Sequence, residues 1–270
     1  GGDNTIAVRV NNEHDLDIPP LDADFTFYGG IYRDVRLFAT APVHVEVTDH
    51  ASPGVFIDTP TATRDSATVR VRTGLVNQSE AAADVTLVHR IRNEEGAVVE
   101  ALRTTRSVAA GETVDVTQAT PPFRDPHLWS PSDPYLYEVE TVVRTNGQVV
   151  DRVVEPLGIR WVEADGNGFY LNGEPLALQG TNRHQDRPGL GNAIPDAAHR
   201  EDLRIIDEMG FNFLRLAHYP QDPVVLEEAD RRGLLVWEEI PVVNRITMSE
   251  AFGDNAEQRL TEMIRQHYNH

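Results

Sequence analysis

In the run Phe211-Asn212-Phe213-Leu214-Arg215-Leu216-Ala217-His218-Tyr219-Pro220 an alternating apolar segment ends in a guanidinium, an imidazole, a phenol and a proline. A permanent cation three residues from a titratable ring can hold a carboxylate ionised, or orient a hydroxylated substrate beside one. The apolar part reads as a strand that buries Phe211 and Phe213 and delivers Arg215 and His218 to its C-terminal end. Ligands of parallel-stranded barrels sit at such ends. A core strand followed by a proline turn would give the same run, so the neighbours have to arbitrate.

Upstream, the apolar residues 176–178 and Gln179-Gly180 lead into Thr181-Asn182-Arg183-His184-Gln185-Asp186. Downstream, 234–237 lead into Glu238-Glu239-Ile240-Pro241. Two helical patterns separate these strands. One covers about 197–209, with Leu203, Ile206 and Met209 at helical spacing, Asp196 as N-cap and Gly210 as stop. The other covers about 223–232, between Asp222 and Gly233. Strand–helix–strand–helix–strand at this spacing predicts parallel βαβ units, with three polar strand ends meeting at one site. A last helix is predicted from Ser249 to about His267, with Gly253 as its weak point.

In order and spacing, G-T-N-R-H at 180–184, R-L-A-H-Y-P at 215–220 and W-E-E-I-P at 237–241 resemble the first three barrel strands of glycoside hydrolase family 2. That family holds β-galactosidases, β-glucuronidases and β-mannosidases. G-G-I-Y-R-D-V at 29–35 is similar to the end of its N-terminal jelly-roll. H-L-W-S-P-S-D-P-Y-L-Y at 127–137 and L-G-I-R at 157–160 are similar to the signature and exit of its immunoglobulin-like sandwich. The implied architecture is multidomain: the end of a jelly-roll over 1–41, an immunoglobulin-like β-sandwich over 42–160, and the first three βα units of a TIM (β/α)8 barrel over 161–270. The residues agree with it. Short alternating strands broken by turns fill 42–160, including 43–47, 68–72, 85–91, 113–116, 135–143 and 149–155, and Asn146-Gly147 signals a tight hairpin. Residues 5–11 and 31–37 alternate as strands, and Asn172-Gly173 marks a hairpin entering the barrel. Trp129 and Tyr137 read as core and corner residues, and Asn77-Gln78-Ser79 is a short sequon match given no role.

The resemblance implies a retaining exo-β-glycosidase, with β-galactosidase as the first reading and β-glucuronidase, β-mannosidase or a non-catalytic carbohydrate-binding module as alternatives. Such an enzyme needs two carboxyls about 5–5.5 Å apart. Glu238 and Glu239 are adjacent in a strand and point to opposite faces, so they cannot be that pair. The family's acid/base and nucleophile glutamates follow its fourth and seventh strands. The chain is therefore expected to be a fragment, inactive alone, with both glutamates beyond His270. What it offers are binding and orienting groups: Asp24, Asn182, His184, Arg215, His218 and Glu239, with Arg183 a weaker candidate. Gln185 stands where many members have Glu, and Arg183 where glucuronidases tend to have Lys, a lean towards galactosides. Val243-Asn244-Arg245 does not match the magnesium ligands of some β-galactosidases, so no metal or other cofactor is assigned. The implied partner is a β-linked sugar, with self-association of a full-length protein left open.

Composition bounds the rest. The 270 residues are 40% hydrophobic, contain no cysteine, and contain no apolar run approaching the ~20 residues that span a bilayer. All 24 basic residues are arginine, and 43 acids bring the formal net charge to −19, a field that disfavours nucleic acid and anionic membranes as partners. Such a surface suits high salt, where screening relieves self-repulsion; an ordinary acidic protein from a GC-rich source is the alternative. The saline reading predicts that the melting temperature rises as salt is taken to molar concentration; a temperature that stays level or falls would reject it.

Overall fold

A computed structural model describes residues 5–270, so the first four residues of the predicted 1–41 segment lie outside it. Residues 5–41 carry no ladder pairing, and the alternating apolar side chains Ile6, Val8, Val10, Val35 and Leu37 are exposed. The strands read over 5–11 and 31–37 are therefore absent as strands. Periodicity supplies a face, but a strand needs a neighbour to take its N–H and C=O groups, and none runs alongside among the described residues.

The β-sandwich is built from β1 (Val43–Val45), β2 (Val55–Ala62), β3 (Ser66–Asn77), β4 (Ala83–Arg92), β5 (Val98–Val108), β6 (Thr113–Ala119), β7 (Phe123–Arg124), β8 (Tyr137–Thr145) and β9 (Gln148–Leu157). One sheet runs β1-β3-β2, with β6 and β7 also paired to β3; the other runs β5-β4-β8-β9. Alternation does the folding. Along β4, Val85, Leu87, His89 and Ile91 turn inward and meet Val45, Val69, Val71 and Leu75 of the facing sheet. Strands β2 and β5 escape the sequence reading; β5 is a mostly exposed edge strand rich in Thr and Arg, whose hydrophobic period is faint. Asn146 and Gly147, both at positive φ, form the predicted tight turn. Asn77 of the sequon is fully buried and gives its amide to the carbonyls of Ala81 and Val108, so it is a core hydrogen-bonding residue.

A small sheet of β10 (Val162–Asp165), β11 (Gly168–Leu171) and β12 (Glu174–Pro175), turning at Asn172-Gly173, leads into the barrel segment. There β13 (Gly180–Arg183), α1 (Asp196–Glu208), β14 (Phe213–Leu216), α2 (Pro223–Arg232), β15 (Leu235–Glu238) and α3 (Glu250–Gln266) follow in order, and β13, β14 and β15 pair in parallel as predicted. Gly180 is required by close approach: a Cβ there would lie 1.9 Å from the Phe213 carbonyl oxygen. The first strand starts later than read, because residues 176–179 lie before the ladder. Asp222 caps α2 by accepting from Val224 N–H, and Ser249 caps α3 through Phe252 N–H. Asp196 does not cap α1. Pro195 holds that position, and Asp196 pairs with Arg200 one turn on. Gly253 stays inside α3. No described helix is long and apolar enough to cross a membrane.

The sandwich carries one buried charge cluster. Glu140 on β8, 7% exposed, accepts from Arg90, Arg92 and Arg152 at 2.7–3.0 Å. Burial pushes its carboxyl up, but the three arginines outweigh burial and bring the pKa from 4.5 to about 2. A depressed folded-state pKa stabilises above the unfolded value and loses that contribution as pH falls through 4.5 towards 2. Glu140→Gln is expected to cost about 2 kcal/mol at neutral pH. In denaturation at stepped pH, the gap between variant and parent should close across that acid window.

Candidate functional site

The packing of β14 decides what the site contains. Leu214 and Leu216 are fully buried against Leu203 and Ile206 of α1 and Val225 and Ala229 of α2. Successive strand side chains alternate, so Arg215 must point to the other face. The parallel register then sets Asn182, Arg215 and Trp237 in one row across the three strands. Glu238 and Glu239 split as the sequence predicts: Glu238 bonds His267 Nδ1 at 2.8 Å, while Glu239 joins the Arg215 face.

There Arg215 Nε donates to Glu239 Oε1 at 2.5 Å, and His218 Nδ1 lies 2.8 Å from Glu239 Oε2. The same Nδ1 is 3.3 Å from Arg215 Nη2, so one carboxylate bridges two donors. Burial raises the Glu239 carboxyl, but the bonds from Arg215 and His218 prevail and hold it below its ordinary value. With Nδ1–H given to Glu239, His218 presents Nε2 outward, as an acceptor when neutral and a donor when protonated. The peptide bond between Ala217 and His218 is cis.

His184 comes to the same place from the end of β13, its ring centroid 5.4 Å from that of His218. Burial lowers its pKa, and the neighbouring charge of His218 lowers it further; Asp186 and Asp24 act in the opposite sense. Asp24 is exposed, close enough for its charge to reach His184. Asn182 is exposed in its row beside Arg215. All six candidates thus gather around the strand ends.

Arg183 is the exception among the sequence candidates. Its guanidinium is buried on the opposite face, bonded to Asp202 Oδ2 at 2.7 Å, to His199 Nδ1 at 2.8 Å and to Gln221. Gln221 returns its amide to the Arg183 carbonyl at 2.6 Å, and Gln185 Oε1 accepts from Asp222 N–H at 2.6 Å. Residues 183 and 185 are therefore locked on the far face, which leaves His184 on the side of the His218 and Phe25 rings. Two aromatic residues were missed. Phe25 packs its ring 5.3 Å from His184, 6.0 Å from His218 and 5.2 Å from Tyr219, and the Tyr219 hydroxyl accepts from Gln185 N–H at 3.1 Å. The signal for Tyr219 was its place between the histidine and proline of a polar strand end; Phe25 carried none beyond adjacency to Asp24.

Comparison with known proteins bears on this arrangement. Glycosyl hydrolases family 2 matches residues 43–160, and the TIM-barrel domain of the same family matches 162–269. A β-glucuronidase of Bacteroides fragilis is 39% identical over 280 residues, covering 100% of this chain and 40% of the relative. A β-galactosidase of Thermoanaerobacter pseudethanolicus is 34% identical over 276 residues, covering 99% of this chain and 35% of the relative. The crystal structure of a Bacteroides uniformis β-glucuronidase superposes with a TM-score of 0.94 at 42% identity, over 97% of this chain and 31% of that one. The chain thus spans well under half the length of these relatives.

The electrostatics of the two histidines are separable by mutation. In His218→Gln the His184 midpoint should rise towards 6.5 yet stay below it, because the neighbouring charge is gone and the burial remains. Histidine ring NMR across a pH series reads this directly; an unmoved midpoint would mean that the two rings do not interact.

Proposed function

The chain belongs to glycoside hydrolase family 2, and we propose that it forms the sugar-orienting part of a retaining, exo-acting β-glycosidase that hydrolyses O-glycosidic bonds. The observation that carries this is the bridge Arg215–Glu239–His218 at the carboxyl ends of neighbouring parallel strands, with His184 facing it. In the proposed reading, residues 1–41 are the end of a jelly-roll that brings Asp24, 42–160 the sandwich, and 161–270 the opening of the barrel.

The chemistry assigns roles. A general acid needs a raised pKa, and Glu239 has a lowered one, so Glu239 is no proton donor to a leaving group. Its part is to hold His218 by Nδ1 and leave Nε2 for a sugar hydroxyl, with Arg215 fixing the carboxylate. His184, kept neutral by burial, can exchange a hydrogen bond with a second hydroxyl. Asn182 and Asp24 supply further polar contacts on the rim. The acid/base and nucleophile carboxyls belong, in this proposal, to the larger share of the relatives that this chain does not match.

Glucuronides are the first substrate reading, supported by β-glucuronidase relatives at 39–42% identity. Galactosides are the second, supported by the β-galactosidase relative that aligns over 99% of the chain. The Arg183 argument for galactosides falls away, because that side chain is buried on the far face. A panel of nitrophenyl β-glucuronide, β-galactoside and β-mannoside should give no turnover with the 270-residue chain and turnover of one sugar with a polypeptide carrying the rest of the barrel. There, Glu239→Gln is expected to lower kcat/KM by about 10²-fold. Hydrolysis by the isolated chain, or full activity of Glu239→Gln, would sink the assignment.

A further inference from the structure

The two histidines of the strand-end site differ in what holds their Nδ1. His218 Nδ1 lies 2.8 Å from Glu239 Oε2, and an ionised carboxylate can only accept, so the neutral His218 ring carries its proton on Nδ1. Across from it, 5.4 Å away between ring centroids, His184 meets the Tyr219 hydroxyl through its own Nδ1 at 3.5 Å. That hydroxyl already accepts from Gln185 N–H at 3.1 Å. Gln185 is itself fixed, because its buried side chain accepts from Asp222 N–H at the cap of α2. The hydroxyl has one proton to give, and among the described residues His184 Nδ1 is the acceptor within its reach. Donation there satisfies the hydroxyl in full. A proton on Nδ1 would instead leave the O–H of a half-buried tyrosine without a partner. Burial keeps His184 neutral, the state in which the choice of tautomer matters.

We propose that Tyr219 is a positioning residue: its hydroxyl donates to His184 Nδ1 and leaves the ring proton on Nε2, so that the two histidines carry opposite tautomers. The pair then offers two unlike groups, Nε2–H of His184 as a donor and Nε2 of His218 as an acceptor. A hydroxyl gives and takes hydrogen bonds alike and fits both; a carboxylate can only accept and leaves the His218 nitrogen unmet. The pair is therefore suited to the hydroxyls that glucuronides, galactosides and mannosides share, and the choice among those sugars falls to other residues. That use of the pair rests on the glycosidase reading; the tautomers do not.

Nitrogen NMR of ring-labelled histidines in the 270-residue chain, at a pH above both midpoints, reads the tautomers directly. His184 is expected with a bare Nδ1 and a protonated Nε2, and His218 with the reverse. Tyr219→Phe keeps the ring and removes the hydroxyl. A bond from O–H to Nδ1 favours the neutral imidazole, so its loss should raise the His184 midpoint and move the Nδ1 resonance downfield. The charges that act on His184, those of His218, Asp186, Asp24 and Arg215, are the same in parent and variant. Phe25→Leu changes the packing on His184 but keeps the hydroxyl, and should leave the Nδ1 resonance in place. Three results would overturn the assignment and leave the glycosidase reading standing: a protonated Nδ1 on His184, a midpoint that falls or stays level in Tyr219→Phe, or a resonance that moves as far in Phe25→Leu. Opposite tautomers with a midpoint that rises in Tyr219→Phe support it even if no glycosidase activity is ever found.

Discussion

Everything at the site depends on which face of β14 is apolar. Leu214 and Leu216 are wholly buried under α1 and α2, and that burial, of about 2 kcal/mol for each side chain, fixes the strand's rotation about its own axis. Slipping the strand by one residue would put Arg215 into the helix layer and a leucine on the face that Glu239 shares. The polar face is thus specified by leucines that never touch it. The parallel ladder carries the choice to β13 and β15, so Asn182 and Glu239 are oriented by packing on the strand next to their own.

Packing alone would leave the strand-end loops free, and a polar lock restrains them. Burying the Arg183 guanidinium is costly unless its donors are met, and here Asp202, His199 and Gln221 meet them. Gln221 belongs to the loop after β14 and Arg183 to the end of β13, so the bond between them ties the loop bearing His218 to the loop bearing His184. Asp202 is held ionised in the process: burial raises its pKa, and Arg187 and Arg183 more than reverse that. Arg183, read from the sequence as a weaker binding candidate, faces the scaffold instead and ties together the loops bearing His184 and His218.

The order of the elements and the polar strand ends were legible because they are local. Period, caps and turn residues lie within a few positions of one another, as with Asp222 and Gly233 around α2 or Asn146-Gly147 in the sandwich. The division between Glu238 and Glu239 was legible for the same reason, since alternation needs only the neighbouring residue. Arg183 was not, because its orientation depends on partners 16 to 38 residues away. Phe25 was not, because its contacts span about 160 positions or more and obey no period. The strands read over 5–11 and 31–37 failed for the converse reason. Their local signal is sound, but a ladder is a relation between two strands, and one strand's sequence cannot supply the other.

The sandwich contributes none of the six candidate residues, yet it constrains where the strand ends lie. Strand β2 pairs on one side only, and an exposed ladder edge is a liability. Asn269, just past α3, takes the place of a neighbouring strand there: its Oδ1 accepts from Ile57 N–H at 3.0 Å and its Nδ2 donates to the Val55 carbonyl at 2.9 Å. From the other direction, the Trp129 indole donates to the Asp230 carbonyl at 2.8 Å at the end of α2. Gly233, in left-handed conformation, sits so close to Pro131 that a Cβ would fall 2.5 Å from its carbonyl oxygen. The joint therefore holds the end of α2 and the end of α3 at once. These helices flank β15, and with it Glu239, so a rotation of the sandwich would have to break hydrogen bonds at both ends before it could leave the Arg215 bridge intact.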